Sequence, residues 1–232
     1  MKKLLCVTAL SLLLAGCASL QSVAAPIAAA LTPSVDAVEI VSGPPSGDMF
    51  AAEAQMVRGP WDGARIAQAR YDDNFDAFTA FAPVLGEGFT EQNYPLTDSA
   101  LERVLAPLGA AIGIAKDRFE RERPFEVDAA AAPCIEPSDR LRASGSYPSG
   151  HAAFGWAWAL VLAELAPGRA DAILARGREY GDSRVVCGLH YPSDVEAGRV
   201  IAAAAIARLH AEPSFRRDLE AARLELARAY PE

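Results

Sequence analysis

The sequence predicts an all-α protein, a compact single-domain helical bundle. Three observations carry this reading. Alanine is abundant from Asp48 onward, while β-branched runs bounded by turn signals are scarce. Apolar residues recur at helical spacing in successive segments along the same stretch. The chain has 232 residues, 51% hydrophobic and 22% charged, with mean hydropathy +0.10, which suffices for one sizeable core and is too apolar for a disordered chain.

The N-terminus reads as a targeting segment. Met1-Lys2-Lys3 form a positive n-region, and Leu4 to Leu14 form an apolar h-region too short for a spanning helix of about 20 residues. Leu14-Ala15-Gly16-Cys17 resembles a bacterial lipoprotein box, in which Cys17 is acylated and becomes the mature N-terminus; an ordinary secretory signal is the alternative. Residues 1–16 are then a lipoprotein signal peptide, residues 17–45 a lipidated N-terminus and tether ending in Gly43-Pro44-Pro45, and residues 46–232 the helical domain. The expected location is the periplasmic side of a bacterial membrane, the outer one, with membrane contact through the lipid only.

Helical patterns fall at about 48–57, 61–73, 75–85, 98–121, 150–165, 169–181, 192–210 and 213–229. Thr97-Asp98-Ser99 and Pro192-Ser193-Asp194 open two of them, Pro167-Gly168 separates two, and Pro213 suits a first turn. Pro107 should kink or break the 98–121 segment. The longest apolar run after the signal, Ala152–Ala163, is too short to span a bilayer.

Charge and cysteine count narrow the function classes. The net charge is −8, and no basic block exceeds three residues, which disfavours nucleic-acid binding. Cys6 lies in the h-region and Cys17 would carry lipid. Cys134 and Cys187 remain, an even pair that in an exported protein reads as one disulfide, with two buried thiols as the alternative.

Three clusters carry candidate chemistry. Lys116 and Arg123, seven apart before Pro124, would share one helix face and could hold an oxyanion, although such a run alone is equally a solvated charged surface. Gly145-Ser146-Tyr147-Pro148-Ser149-Gly150-His151 leads into an apolar helix. A glycine-containing turn at a helix N-terminus is an anion site, or merely a capped start with an incidental histidine. His190 and Asp194, four apart, suit a basic or nucleophilic imidazole whose tautomer a carboxylate fixes, or a structural histidine.

Together, Lys-x₆-Arg-Pro, Pro-Ser-Gly-His and Ser-Arg-x₅-His-x₃-Asp stand in order without a mismatch, and they hold two of the three histidines. This tripartite pattern resembles the superfamily that unites type 2 phosphatidic acid phosphatases, bacterial class A non-specific acid phosphatases and vanadium haloperoxidases. The fuller strings around His151 and His190 are most similar to the class A acid phosphatases, over about residues 40–230. The resemblance implies a helical acid phosphatase fold and metal-independent hydrolysis of phosphate monoesters, with no cofactor. His190 would attack phosphorus, Asp194 would orient it, and His151 would serve as general acid and then base. Lys116, Arg123, Arg184, Ser149 and the Gly150 amide would bind the phosphate. Activity is expected on the acid side of neutrality, where His151 is protonated. A vanadate-dependent haloperoxidase, a lipid-phosphate phosphatase at the membrane surface and a catalytically silent anion-binding lipoprotein are the competing readings. The preferred ester, homo-oligomerisation and phosphotransfer to alcohols stay open.

Overall fold

The computed structural model describes residues 41–230. The signal peptide and Cys17 lie outside the described residues. Eleven α-helices and no strand occur among those described: α1 (Asp48–Arg58), α2 (Gly63–Tyr71), α3 (Ala77–Leu85), α4 (Pro95–Glu102), α5 (Leu105–Phe119), α6 (Pro124–Val127), α7 (Asp139–Arg142), α8 (Gly150–Leu165), α9 (Ala170–Val186), α10 (Pro192–His210) and α11 (Pro213–Leu226). A 3₁₀ turn, Pro167–Arg169, joins α8 to α9.

The helix starts follow local chemistry. Asp62, Asp76, Ser138 and Ser149 each accept a first-turn amide through the side chain, at Arg65, Thr79, Leu141 and Ala152 respectively. Pro95, Pro124, Pro192 and Pro213 each open a helix, where a missing N–H costs nothing. Pro83 sits inside α3; without a proline amide to accept, the Thr79 carbonyl takes the Tyr71 hydroxyl at 3.0 Å.

α8 is the centre of the bundle. Nine of its residues are buried, among them Trp158, Val161, Leu162 and Leu165, and α9 and α10 pack along it most extensively. α2 and α3 cover α9, α5 leans on α8 and α10, α1 touches α9 and α10, and α4 pairs with α11. α8 and α9 pack close at Gly155: a Cβ there would meet the Tyr180 ring at 2.2 Å. α8 and α10 approach closely at Gly198, where a Cβ would lie 2.5 Å from the Ser149 carbonyl oxygen.

Some boundaries differ from expectation. The 98–121 segment divides at Arg103–Val104, and Pro107 then sits in the first turn of α5, where its lost amide is harmless. The largest correction concerns Lys116 and Arg123, which do not share a helix face. α5 ends at Phe119 because Glu120 takes a left-handed conformation (φ 42°), and Pro124 keeps Arg123 extended. α9 runs to Val186, past its expected end, which places Arg184 on the helix. Ahead of Asp48, in the stretch read as tether, Val41 is buried and a Cβ on Gly43 would press on the Phe119 ring.

Cys134 and Cys187 form a disulfide, with Cα atoms 4.6 Å apart. It lies in an apolar cluster with Ala69, Val186, Leu189, Phe125 and Leu141. The Cys134 amide also donates to the Cys187 carbonyl at 3.0 Å. The bridge closes a separation of 53 residues, for which chain entropy gives about 4 kcal/mol. Replacing both cysteines by alanine is therefore expected to lower unfolding free energy in urea by roughly 2–5 kcal/mol. Two freely alkylatable thiols in the untreated native protein would contradict this.

Candidate active site

The site lies where the N-termini of α8 and α10 meet the C-terminal ends of α5 and α9. The Ser149 amide donates to the Asp194 carbonyl at 2.8 Å, tying the two N-termini together. The amides of His190 and Leu189 reach back to the Arg184 carbonyl at 3.3 and 3.0 Å, so the loop after α9 delivers His190 beside Arg184.

His190 is 3% exposed. Its Nδ1 faces the Asp194 carboxylate at 3.4 Å, and its Nε2 lies 3.1 Å from Nη1 of Arg123. A guanidinium can only donate, so Nε2 holds a lone pair and Nδ1 holds the proton; the tautomer follows from its partners. Burial first, then the Arg123 and Lys116 charges, push the imidazole well below its ordinary range, while Asp194 opposes them. The histidine is neutral, with its bare nitrogen aimed at the cations.

Asp194 is fully buried and accepts from four sides. Arg121 Nη1 donates to Oδ1 at 2.6 Å; the Ser146 hydroxyl and the Tyr191 amide donate to Oδ2 at 2.5 and 2.8 Å; His190 is the fourth. Burial alone would raise this carboxyl, yet the His190, Arg121 and Ser146 contacts hold it below the usual carboxylate range. Arg121 lies 3.9 Å over the Tyr191 ring and also donates to Glu53 of α1 at 3.0 Å. Glu53 in turn accepts the Ser193 amide and hydroxyl at 2.6 and 2.9 Å.

The three predicted cations converge. Arg123 spends most of its donors on the carbonyls of Leu141, Ser144 and Leu189, at 2.9–3.0 Å. Lys116 donates to the Gly145 carbonyl, which also accepts from Arg123 at 3.3 Å. Burial, then the Arg123 charge, push the Lys116 ammonium down to about 7; burial brings Arg123 to about 10, where it stays charged at neutral pH. Arg184 is 2% exposed, donates to Asp73 at 2.8 Å, and its buried Nε finds no partner. Its charge acts on both Arg123 and His151.

The Ser149 hydroxyl accepts from Ala152 as the cap of α8 and keeps its own proton to donate. The next amides, Gly150 and His151, belong to the helix's orphan donors at its positive end. His151 stacks on Tyr180 (centroids 5.2 Å, 17°), meets Phe75 edge-on at 5.3 Å, and its Nε2 lies 3.0 Å from the Asn74 carbonyl. Burial, and next Arg184, push its imidazole down to about 3. Nε2 therefore carries the proton of the neutral ring, and Nδ1 is its basic nitrogen.

All eight predicted catalytic and phosphate-binding residues thus meet at one place. The third histidine, His210, pairs with Glu164 at 2.9 Å on the opposite end of α10. Among the described residues no group of three or more His, Cys, Asp or Glu side chains converges as a metal site. Packed cations, an orphaned guanidinium N–H and a helix N-terminus suit a tetrahedral oxyanion. Sequence reading missed Arg121, Ser146, Glu53 and the 72–75 loop. Arg121 lay inside the charged run of Lys116–Arg123, but nothing in the spacing tells which arginine turns inward.

Both Lys116 and His151 bind fewer protons folded than unfolded. Stability of the free protein should therefore rise with pH between about 3 and 6.5 through His151, and between about 7 and 10.5 through Lys116. A bound dianion should reverse both shifts. Tungstate binding at about pH 8 is expected to take up close to one proton at Lys116. Calorimetry in two buffers of different ionisation enthalpy reads this number; zero uptake would contradict the site's electrostatics.

Residues 103–217 match the PAP2 superfamily. A non-specific acid phosphatase of Providencia stuartii is 43% identical over 150 residues, 64% of this chain and 60% of that protein. An acid phosphatase of Zymomonas mobilis subsp. mobilis is 44% identical over 150 residues, 64% of this chain and 56% of the relative. A non-specific acid phosphatase of Salmonella typhimurium is 42% identical over 147 residues, 63% of this chain and 59% of the relative. The matches thus span three fifths or less of these relatives' length. The matched stretch contains every residue of the cation cradle and both site histidines, and over that stretch the chain is similar to the PAP2 superfamily.

Proposed function

We propose that the protein is an acid phosphatase that hydrolyses phosphate monoesters through a phosphohistidine, without a metal ion. The observation that carries this is His190: a neutral, buried imidazole with Nδ1 on the Asp194 carboxylate and Nε2 against the Arg123 guanidinium, with the Lys116 charge also acting on the ring. The names of the relatives support the same reaction class.

Each residue's task follows from its placement. Phosphate oxygens compete for the Arg123 Nη1 that now lies against Nε2, freeing that lone pair for in-line attack on phosphorus. Asp194 stabilises the charge that develops on the ring. Arg123, Arg184, Lys116 and the α8 amides stabilise the equatorial oxygens where charge is held in the transition state. His151 Nδ1 delivers a proton to the departing oxygen, then withdraws one from the water that attacks the phosphohistidine.

The acid optimum needs a different origin from the one the sequence suggested. His151 is neutral in the free site down to about pH 3. The proton can instead arrive on the substrate, because a phosphate ester's second ionisation lies near about 6. A monoanionic ester plus neutral His151 has the same proton count as a dianion plus protonated His151. The bound dianion's charge lifts the imidazole and moves the proton to it. Activity then falls above the ester's second pKa.

Location rests on sequence alone: the Leu14–Cys17 box supports a lipid anchor on the periplasmic face. Cys17→Ser should move the protein out of the membrane fraction; unchanged sedimentation would refute the anchor.

The two histidines should separate by leaving group. His190→Ala should abolish turnover of every ester. His151→Ala should lose alkyl esters by about 10²–10⁴-fold, retain much of its phosphoryl transfer from activated aryl esters, and accumulate an acid-labile phosphoenzyme. Quenching each variant with labelled aryl phosphate and mapping the peptide checks this. Label on His151, or equal losses for both ester classes, overturns the assignment.

A further inference from the structure

Phe75 is an anomaly of placement. It is 51% exposed, yet its ring is held edge-on by Phe154 and Trp158, at centroid distances of 4.8 and 5.4 Å. The same ring touches His151 at 5.3 Å. It projects from the loop pinned by the Asn74 carbonyl, which accepts from both His151 and the Tyr180 hydroxyl. Held by three rings, this exposed aromatic presents a fixed apolar face next to the site.

Phe75 also walls a cavity of about 200 Å³, together with Trp158. A buried cavity of about 150 Å³ accommodates benzene in another protein, so one aromatic ring fits this volume. The rim of this cavity is acidic: Asp76, Glu91, Asp98 and Glu102. These carboxylates sense one another, since partial burial and then Glu102, Glu91 and Asp76 raise the Asp98 carboxyl. No basic side chain lines the same cavity.

We propose that Phe75, backed by Phe154 and Trp158, is the leaving-group subsite, taking the ring of an uncharged aromatic alcohol and disfavouring leaving groups that carry further negative charge. This rests on the phosphatase reading in one respect: His151 must mark the side on which the alcohol departs. The alcohol oxygen bonded to phosphorus must come within reach of His151 Nδ1. The alcohol's next atoms then meet the ring adjoining that imidazole. A flat group stacks there and covers the exposed face; a small aliphatic group cannot. An additional phosphate or carboxylate on the alcohol would face four carboxylates with no cation among them.

The test is a selectivity ratio. In the wild type, kcat/KM for phenyl phosphate should exceed that for glycerol 2-phosphate, and 4-carboxyphenyl phosphate should be the poorer aryl ester. Phe75→Ala should lower the phenyl-to-glycerol ratio about tenfold, the size expected of one aromatic stacking contact. Phe75→Leu, which keeps apolar bulk for folding, should lower it similarly, and Phe75→Tyr should restore it. Asp98→Asn should narrow the gap between phenyl and 4-carboxyphenyl phosphate. A second arm needs no turnover: the affinity ratio of phenylphosphonate to methylphosphonate, by calorimetry, should fall about tenfold in the Phe75→Leu variant. If the wild type hydrolyses no ester while that ratio still falls, the phosphatase reading fails and the subsite stands. If the ratio is the same in wild type and both variants, the subsite is overturned whatever the activity.

Discussion

The Asp194 carboxylate is the knot on which the site depends. Its two oxygens receive Arg121, Ser146, the Tyr191 amide and His190, and its carbonyl receives the Ser149 amide. The side-chain donors come from the segment after α5, the 144–149 segment and the residues that lead into α10. One ionised side chain therefore sets the relative position of three pieces of chain, and its backbone carbonyl adds a second tie to the 144–149 segment. Buried without its donors it would be protonated, and the His190 proton would lose its acceptor. Arg121 has a double effect. It keeps the carboxylate charged, and by sharing it lessens the pull that Asp194 exerts on His190. The proposed nucleophile must stay unprotonated at acid pH, and such a moderated partner serves that need.

Around this knot the free protein is under electrostatic tension. Three cations sit close together, with Asp73, Asp194 and Glu126 as nearby carboxylates. The cost is visible in Lys116, whose ammonium is near half neutral at about pH 7, and in the orphaned Nε of Arg184. Mutual repulsion that an anion relieves converts a strain of the free state into affinity for phosphate. Because the oxygens carry most charge as the phosphoryl group transfers, the same relief favours the transition state. Preorganisation comes from backbone: Arg123 is fixed by carbonyls of Leu141, Ser144 and Leu189, so it need not be ordered when the ester binds.

Much of this was legible in the sequence, and the illegible remainder has a common cause. The longer helices with clear caps or prolines at their starts lie within a few residues of their expected bounds, because capping is local chemistry, whereas the one-turn helices α6 and α7, though Pro124 opens one and Ser138 caps the other, are too short to show a period and were not expected. The residues of the tripartite pattern, far apart in sequence, lie together around the N-termini of α8 and α10. The expected shared helix face of Lys116 and Arg123 failed because Glu120 adopts a left-handed conformation, which non-glycine residues seldom do and periodicity does not reveal. Arg121, Glu53 and Ser146 were missed for another reason. Ser146 and Arg121 hold Asp194 across 48 and 73 residues, and Glu53 holds Arg121 and Ser193 across 68 and 140, relations that no window along the chain contains. His151's low basicity was equally invisible, since it arises from burial and from Arg184 on another helix.

The loop over the site shows how a buried ion pair can specify position. Asp72, fully buried, binds Arg176 and Ser183 of α9, and Arg176 also donates to the Ala80 carbonyl at 2.8 Å. Such a pair adds little net stability over well-packed apolar residues, because desolvation offsets the attraction. Its value here is register. Asp72 is followed directly by Asp73, Asn74 and Phe75, which meet Arg184, His151 and the leaving-group cavity in turn. A slip that withdraws Asp72 from Arg176 would leave a buried carboxylate without its guanidinium, a penalty of several kcal/mol. An apolar contact would tolerate that slip. The ion pair makes the alternative registers costly, and so fixes which backbone carbonyl holds the proposed general acid and which side chain faces the departing alcohol.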